Sequence, residues 1–378
     1  MTISPKERDY LALTLVPGLG PRLTAALIEH FGSAGAVLQA SETELMEIPH
    51  IGKKLAHDFA EAMKKVDVDG EVALLGKYNT RILTLGNRNY PASLAQIPDP
   101  PPVLYFRGEI TPEDANAVAI VGSRQCTTYG KKVTAQIAAG LARAGITVVS
   151  GLARGIDGAA HLAALEAGGR TVAVLAGGLS SIYPPEHLEL SQLVEQHGAL
   201  ISETAMKMEP LAGMFHARNR IISGLARALV VIEANDRSGA LITTRHAAEQ
   251  GRELFAVPAN VDSATSAGTL KLLRDGARLI RNVDDLLEDL EGIAPMPVQG
   301  EPKTAPAEEP KSPPPPKIPN GLDSLQTQIW ECLSEPKQID VLTRELKLPV
   351  AELSRHLMLL EMKKIIRRLP GNQYERRS

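Results

Sequence analysis

Between residues 68 and 292 the chain repeats one pattern: a short continuous apolar run, then a longer amphipathic stretch. The runs are "RILTLG", "PVLYFRG", "AVAIVG", "ITVVSG", "TVAVLAGG", "ALISE", "ALVVIEA" and "ELFAVP". A strand with one wet face alternates apolar and polar residues, whereas a strand covered on both faces is apolar throughout. Apolar strands separated by helices therefore predict a mainly parallel sheet with helices on both sides. The expected class is α/β, an extended Rossmann-like fold, with Thr80 to Gly108 added at its front.

The flanks read differently. Residues 1–67 are predicted to be all-helical, and "VPGLGP" (Val16–Pro21) echoes in "IPHIGK" (Ile48–Lys53). Each is a turn leading into a helix, which resembles helix-hairpin-helix and SAM-like modules. Such turns can offer N–H groups to a phosphate; equally, they can simply be tight turns, and His50 replaces the first glycine in the second. Residues 293–320 hold ten of the 27 prolines and predict a stiff linker. Residues 321–378 predict three helices and a hairpin around Pro370-Gly371, a winged-helix-like outline. Leu353, Leu357 and Leu360 are expected on its inner face, with Arg355 and His356 outward, and Lys363, Lys364, Arg367 and Arg368 form a basic cluster. Both a DNA-contacting and a protein-docking role fit this module.

Composition narrows the function. The net charge of −3 argues against a globally basic nucleic-acid binder but allows a local basic patch. Aromatics make up 3 %, too few for a broad base-stacking platform, so nucleic-acid contact would run mainly through phosphates. Cys126 and Cys332 stand in no C-x-x-C pair, which excludes a disulfide framework or cysteine-rich zinc site and fits a reducing compartment. The N-terminus has no apolar signal core and no run is long enough to span a bilayer, so a cytoplasmic protein is expected.

In an open parallel sheet, ligands bind beyond the carboxyl ends of the strands. The residues there are Gly122-Ser123-Arg124, Gly151 with Arg154, Gly177-Gly178, Ser202-Glu203 and Glu233. Glycine turns let backbone N–H groups approach an anion, and the following helices add positive N-terminal ends. Together with Arg124 and Arg154 they predict an anion site. "FHARNRIISGL" brings Phe215, Arg218, Asn219 and Arg220 ahead of an apolar helix. Its guanidiniums can fork phosphate oxygens or pair with Glu203 or Glu233. Ser238-Gly239 opens another helix, with Ser238 as its expected N-cap and Thr243 and Thr244 one turn later. Asp157 and His161, at i and i+4, read either as an acid–base pair or as local packing. No metal-ligand cluster, Ser/His/Asp order or P-loop lysine motif accompanies them.

The ordered set "IVGSR…YG", "VVSGLARGIDGAAH", "TVAVLAGGL…YP", "F.ARNRIISGL", "VVIEA…SGALITT..A.EQGR" and "FAVP" closely resembles the DprA/Smf family of bacterial DNA-processing proteins. The resemblance implies a non-enzymatic, cofactor-free role in natural transformation: binding incoming single-stranded DNA, protecting it, and helping to load RecA recombinase. It places the phosphate pocket at Gly122, Ser123 and Arg124, with Phe215 to Arg220 beside it. It also implies a homodimer, expected through Ala267 to Ile280, where Leu270, Leu273 and Leu279 exceed the needs of self-burial. Relatives carry a basic residue two to four positions before the phenylalanine. Here Leu211 to Gly213 stand there, and the nearest lysine is Lys207. His216 and Ala259 depart from the family's proline and glycine. The alternative is a phosphoribohydrolase-like nucleotide-binding or nucleotide-hydrolysing enzyme. That class needs a glutamate in a P-G-G-x-G-T-x-x-E loop, which "SGALITTRHA" lacks.

Overall fold

The computed structural model describes residues 3–291, 322–333, 337–346, 348–363, 365–369 and 373–376. The segment read as a proline-rich linker and the Pro370-Gly371 turn lie outside the described residues. The chain divides into two compact units, Met1–Pro302 and Lys303–Ser378.

The first unit is built on nine strands: β1 (Arg81–Thr84), β2 (Val103–Gly108), β3 (Val118–Val121), β4 (Val148–Ser150), β5 (Thr171–Val174), β6 (Gly198–Ser202), β7 (Ala228–Val231), β8 (Glu253–Ala256) and β9 (Arg278–Leu279). Their order is β1-β2-β6-β5-β4-β3-β7-β8-β9. From β6 to β9 every pairing is parallel, whereas β2 joins both β6 and β1 antiparallel. Alternate side chains serve opposite faces. Val118 and Ile120 pack under helices Thr128–Arg143 and Ile156–Glu166. Ala119 and Val121 pack under helices Ala212–Leu225 and Ala240–Glu249. From β3 the chain winds outward to β6, then returns to β7 on the other side of β3. The crevice between the carboxyl ends of β3 and β7 is thus the topological switch point.

The N-terminal helices join the same unit. Leu11, Leu27, Leu45, Phe59 and Leu75 share one apolar cluster with Ile82 and Tyr105 of the sheet. Buried Glu71 accepts the Met206 N–H at 2.7 Å, tying this segment to the loop after β6. The two echoing turns share a backbone path. Gly18 and His50 both lie in the left-handed region, at φ 80° and 72°. Gly20 and Gly52 then cap helices Pro21–Phe31 and Lys53–Met63 at φ −81° and −83°. His50 therefore holds the conformation that Gly18 adopts without steric cost.

The second unit has helices Ser324–Cys332, Ile339–Leu346 and Val350–Met362, with a three-stranded antiparallel sheet of Lys337–Gln338, Gln373–Arg376 and Ile366–Leu369. Leu353, Leu357 and Leu360 point into its core as expected, and Arg355 points out. His356 corrects the reading: it is buried, because at ~100° per residue its position lies only ~40° beyond Leu360, at the edge of the arc set by those three leucines. Of the basic cluster, Arg367 pairs with Glu375, and Lys363 donates to Gln326 at 3.2 Å.

Candidate nucleic-acid interface

Three loops meet at the switch point. After β3, Gly122 passes close to Ile156, and Ser123 donates its N–H to the Glu233 carbonyl at 2.8 Å. The buried Glu233 carboxylate accepts from both the N–H and the hydroxyl of Thr127. Thr127 in turn accepts the Gly130 N–H at 3.1 Å and caps the helix that follows. Glu233 is therefore consumed in fixing the Arg124 loop to the next helix. Arg124 itself is exposed, and its guanidinium lies over the Phe215 ring, 4.9 Å from the centroid.

The loop after β4 is pinned by the pair that sequence left open between catalysis and packing. Asp157 accepts the Gly151 N–H at 3.2 Å, and His161 Nε2 accepts the Leu152 N–H at 3.3 Å. The Thr171 hydroxyl donates to the Val148 carbonyl at 2.7 Å, so it must accept the His161 Nδ1 proton across a further 2.7 Å. Both ring nitrogens are thus committed in the neutral imidazole, and burial lowers its pKa to about 3. Leu152, held by His161, sits at φ 55°. The duller of the two readings is the one observed.

The Arg218-Asn219-Arg220 triplet corrects a second expectation. It lies inside helix Ala212–Leu225 rather than ahead of it, and all three residues are buried. Successive helical residues diverge by ~100°, so three in a row cannot converge on one ligand. Arg218 reaches the strand ends, donating to the carbonyls of Gly151 and Val174. Asn219 donates to the Gly239 carbonyl at 3.3 Å. Arg220 turns away to the Glu203 carboxylate, with Asp99 at 3.5 Å. Burial lowers the Arg218 pKa to about 10, and Arg124 adds like-charge repulsion against the pull of Asp157. Arg218 stays charged at neutral pH. With Arg124 and Arg237 it outnumbers the single Asp157 carboxylate in the same cleft lining, so the cleft is positive.

The resulting cleft is lined by Gly122, Ser123, Arg124, Phe215, Arg218 and Asn219, and across from them by Arg237, Ser238, Gly239 and Thr243. Gly239, rather than Ser238, is the N-cap of its helix, while the Ser238 hydroxyl accepts the Ala240 N–H at 3.3 Å. Thr243 is buried in the wall, and Thr244 donates to the Leu241 carbonyl. A smaller pocket adjoins, sharing Arg124, Phe215 and Arg218 and adding Gly151, Arg154, Gly177 and Tyr183. Tyr183 packs edge-on against Phe215 at 5.9 Å, and Arg154 lies over the Tyr183 ring while pairing with Glu186. Two of the few aromatic rings thus stand here, interleaved with arginines.

The glycines do less as N–H donors than expected. The N–H of Gly151 goes to Asp157, and that of Gly178 to the Met208 carbonyl at 2.8 Å. A Cβ on Gly178 would collide with the carbonyls of Ala205 and Met206, and one on Gly151 with the Arg218 guanidinium. These positions need glycine for close packing. Gly178, Arg220 and Lys207 lie outside the cleft; Lys207 lines a separate groove beside Lys65 and Leu15. Tyr183, Arg237 and His216 were missed as site residues, although "YP" after Gly177-Gly178 and the arginine opening "RSGALITT" were visible signals.

A family model described as DNA recombination-mediator protein A matches residues 81–291, and the Smf protein of Synechocystis is 33 % identical over 98 % of this chain and 99 % of its own length. This chain belongs to the DprA/Smf family. Flanking models agree: a SAM-like helix-hairpin-helix tandem over 10–65 and a DprA winged-helix domain over 310–372. The X-ray structure of DprA from Streptococcus pneumoniae superposes with a TM-score of 0.66 at 33 % identity, covering 76 % of this chain and 99 % of that one. DNA processing protein A from Helicobacter pylori, whose structure is described for its single-stranded DNA binding mode, gives a TM-score of 0.52 at 31 % identity over 57 % of this chain and 99 % of that one.

Proposed function

We propose that this chain binds incoming single-stranded DNA through the arginine cleft, shields it from nucleases, and passes it to RecA recombinase during natural transformation. It acts in the cytoplasm, as a binding protein rather than an enzyme. The observation that carries this reading is the exposed Arg124 guanidinium, stacked on Phe215 above a floor made positive by Arg218, at the switch point of the sheet. The described single-stranded DNA binding of the Helicobacter pylori relative supports it. The rim carboxylates Glu203, Glu233 and Asp157 are each engaged by protein partners, which leaves them poorly placed as a general base.

The test is a gel-shift titration of single- and double-stranded DNA at several salt concentrations, with a nucleotide-release assay on the same preparation. Preferential, salt-sensitive single-strand binding without release supports the reading, and nucleotide release overturns it in favour of the enzyme. For the homodimer, β9 is a two-residue edge strand whose Leu279 is 51 % exposed, next to the half-buried Leu270 and Leu273 of helix Ala267–Arg274. A C2 contact there would cover this edge. Leu279→Asp should convert the dimer to a monomer in light scattering. A wild-type monomer at micromolar concentration refutes the contact.

A further inference from the structure

Arg154 follows β4 much as Arg124 follows β3, and both line, with Arg218, the small pocket beside the cleft. Among the described residues no carboxylate lines that pocket. Each exposed guanidinium stands over one ring of an edge-on pair, Arg124 over Phe215 at 4.9 Å and Arg154 over Tyr183 at 5.9 Å. They differ in one respect. Arg124 enters no ion pair among the described residues, whereas Arg154 is held by Glu186, which lies outside the pocket lining. The Glu186 carboxylate accepts from both Nε and Nη2 of Arg154, the latter at 3.0 Å. Those two donors form the side-on fork of a guanidinium, the same pair that a phosphate would take.

We propose that Glu186 is a built-in competitor for DNA: it fills the Arg154 fork in the free protein, and a backbone phosphate of the bound strand displaces it. The proposal rests on single-strand binding at the arginine cleft. Glu186 does not meet Arg154 as one long, free side chain meets another. It sits in the 3-10 turn Pro185–His187, and the next residue, His187, donates its Nδ1 proton to the Leu152 carbonyl at 2.9 Å. Leu152 stands two residues before Arg154, so the two loops are already tied without the ion pair. The pair itself adds little to that tie. Its side chains are 50 % and 48 % exposed, and water and salt screen a pair so open. It is therefore easily exchanged for another anion. Arg154 beside it holds the Glu186 carboxyl below the usual range, so the competitor is charged at neutral pH. A free phosphate ion gains little by the exchange. A strand already anchored at Arg124 presents its neighbouring phosphates at high effective concentration, so Glu186 favours a polymer over a mononucleotide.

The test is a double-mutant cycle on the full-length protein, titrated with a labelled oligothymidylate of about 16 nucleotides at several salt concentrations. Glu186→Gln should bind about twofold to fivefold more tightly than wild type, the factor that releasing an exposed ion pair allows. Glu186→Ala should do the same, since the effect belongs to the charge, and both should melt as wild type does. In an Arg154→Ala background, Glu186→Gln should change nothing. Adding Arg154→Ala to Glu186→Gln should remove one phosphate contact and flatten the dependence of log K on log salt by ~0.7. No gain from Glu186→Gln overturns the proposal. An equal gain with and without Arg154 also overturns it, because the carboxylate would then act as plain repulsion of the strand. An unchanged slope on loss of Arg154 overturns it by placing that arginine off the backbone. Arg124→Ala, measured alongside, separates the two readings. If it weakens binding while the cycle is flat, Glu186 is no competitor and the cleft stands; if it binds as wild type does, the cleft reading falls too.

Discussion

Arg124→Ala isolates the charge on which the cleft reading depends. The side chain is exposed and, among the described residues, enters no ion pair; its intramolecular contact is the Phe215 ring at 4.9 Å. An exposed cation–π contact contributes ~0.5–1 kcal/mol, so the variant should melt within a few degrees of wild type. Binding should suffer more. A hydrogen bond to a charged phosphate contributes ~1.5–3 kcal/mol, or roughly tenfold to a hundredfold in affinity. Each lost phosphate contact also flattens the dependence of log K on log salt by ~0.7 for a single strand. Fluorescence anisotropy on labelled oligothymidylate, at a series of salt concentrations, reads both quantities. Arg124→Lys keeps the charge but loses the planar fork, so it should restore the slope more fully than the affinity. If Arg124→Ala binds with wild-type affinity and slope, the cleft does not hold the backbone and the assignment fails.

Gly151→Ala should drive a Cβ into the Arg218 guanidinium, costing ~1–3 kcal/mol of stability and disordering the cleft floor; thermal melts and the same binding assay check it. His161 has a folded pKa of about 3 against 6.5 unfolded, so its contribution to stability is present above pH 6.5 and is lost as pH falls towards 3. Urea unfolding between pH 7 and 4 should show a loss of about 1.4 kcal/mol per pH unit that flattens in His161→Gln; parallel slopes in the two proteins would refute the buried neutral imidazole. Ending the chain after Glu291 should leave a folded protein that still prefers single strands, because the cleft residues all belong to the unit Met1–Pro302. Loss of single-strand binding on truncation would assign the winged-helix unit a direct part.

Much of the architecture was legible because it depends on pattern. Doubly covered strands must be apolar throughout, and β3 to β8 fall where the runs fall. The cleft was legible only as a neighbourhood. Glycine has two uses that look alike in a sequence: exposing an N–H group, or making room for a neighbour. Gly151 and Gly178 serve the second, and the sequence cannot say so because the intruding groups, Arg218 and the Ala205 and Met206 carbonyls, lie at least 27 residues away in the chain. Adjacent arginines mislead in a related way. Arg218 and Arg220 look like a clamp until helical phase separates them, one onto the strand-end carbonyls and the other onto Glu203. Arg237 visibly opens "RSGALITT", but one arginine in a polar loop does not by itself mark a site. It becomes notable only when β7 sets it across from Arg124.

This division assigns different consequences to arginines that look equivalent. Arg220 is buried against Glu203, and burial pushes that carboxyl up while the guanidinium pulls it down. Removing either partner strands the other charge in the interior, at a cost of ~3–5 kcal/mol, so losing Arg220 unfolds the protein before it reveals anything about DNA. Arg218 is intermediate: it fixes two strand ends and charges the cleft floor from beneath. Of the arginines that line the cleft and its adjoining pocket, Arg124, Arg237 and Arg154 are exposed to meet a backbone, and Arg154 must first share itself with Glu186. The affinity of the cleft should therefore track the exposed arginines, and its shape the buried ones. A variant set that swaps these effects, with Arg237→Ala unfolding the chain or Arg220→Ala weakening binding at full stability, would invert the assignment.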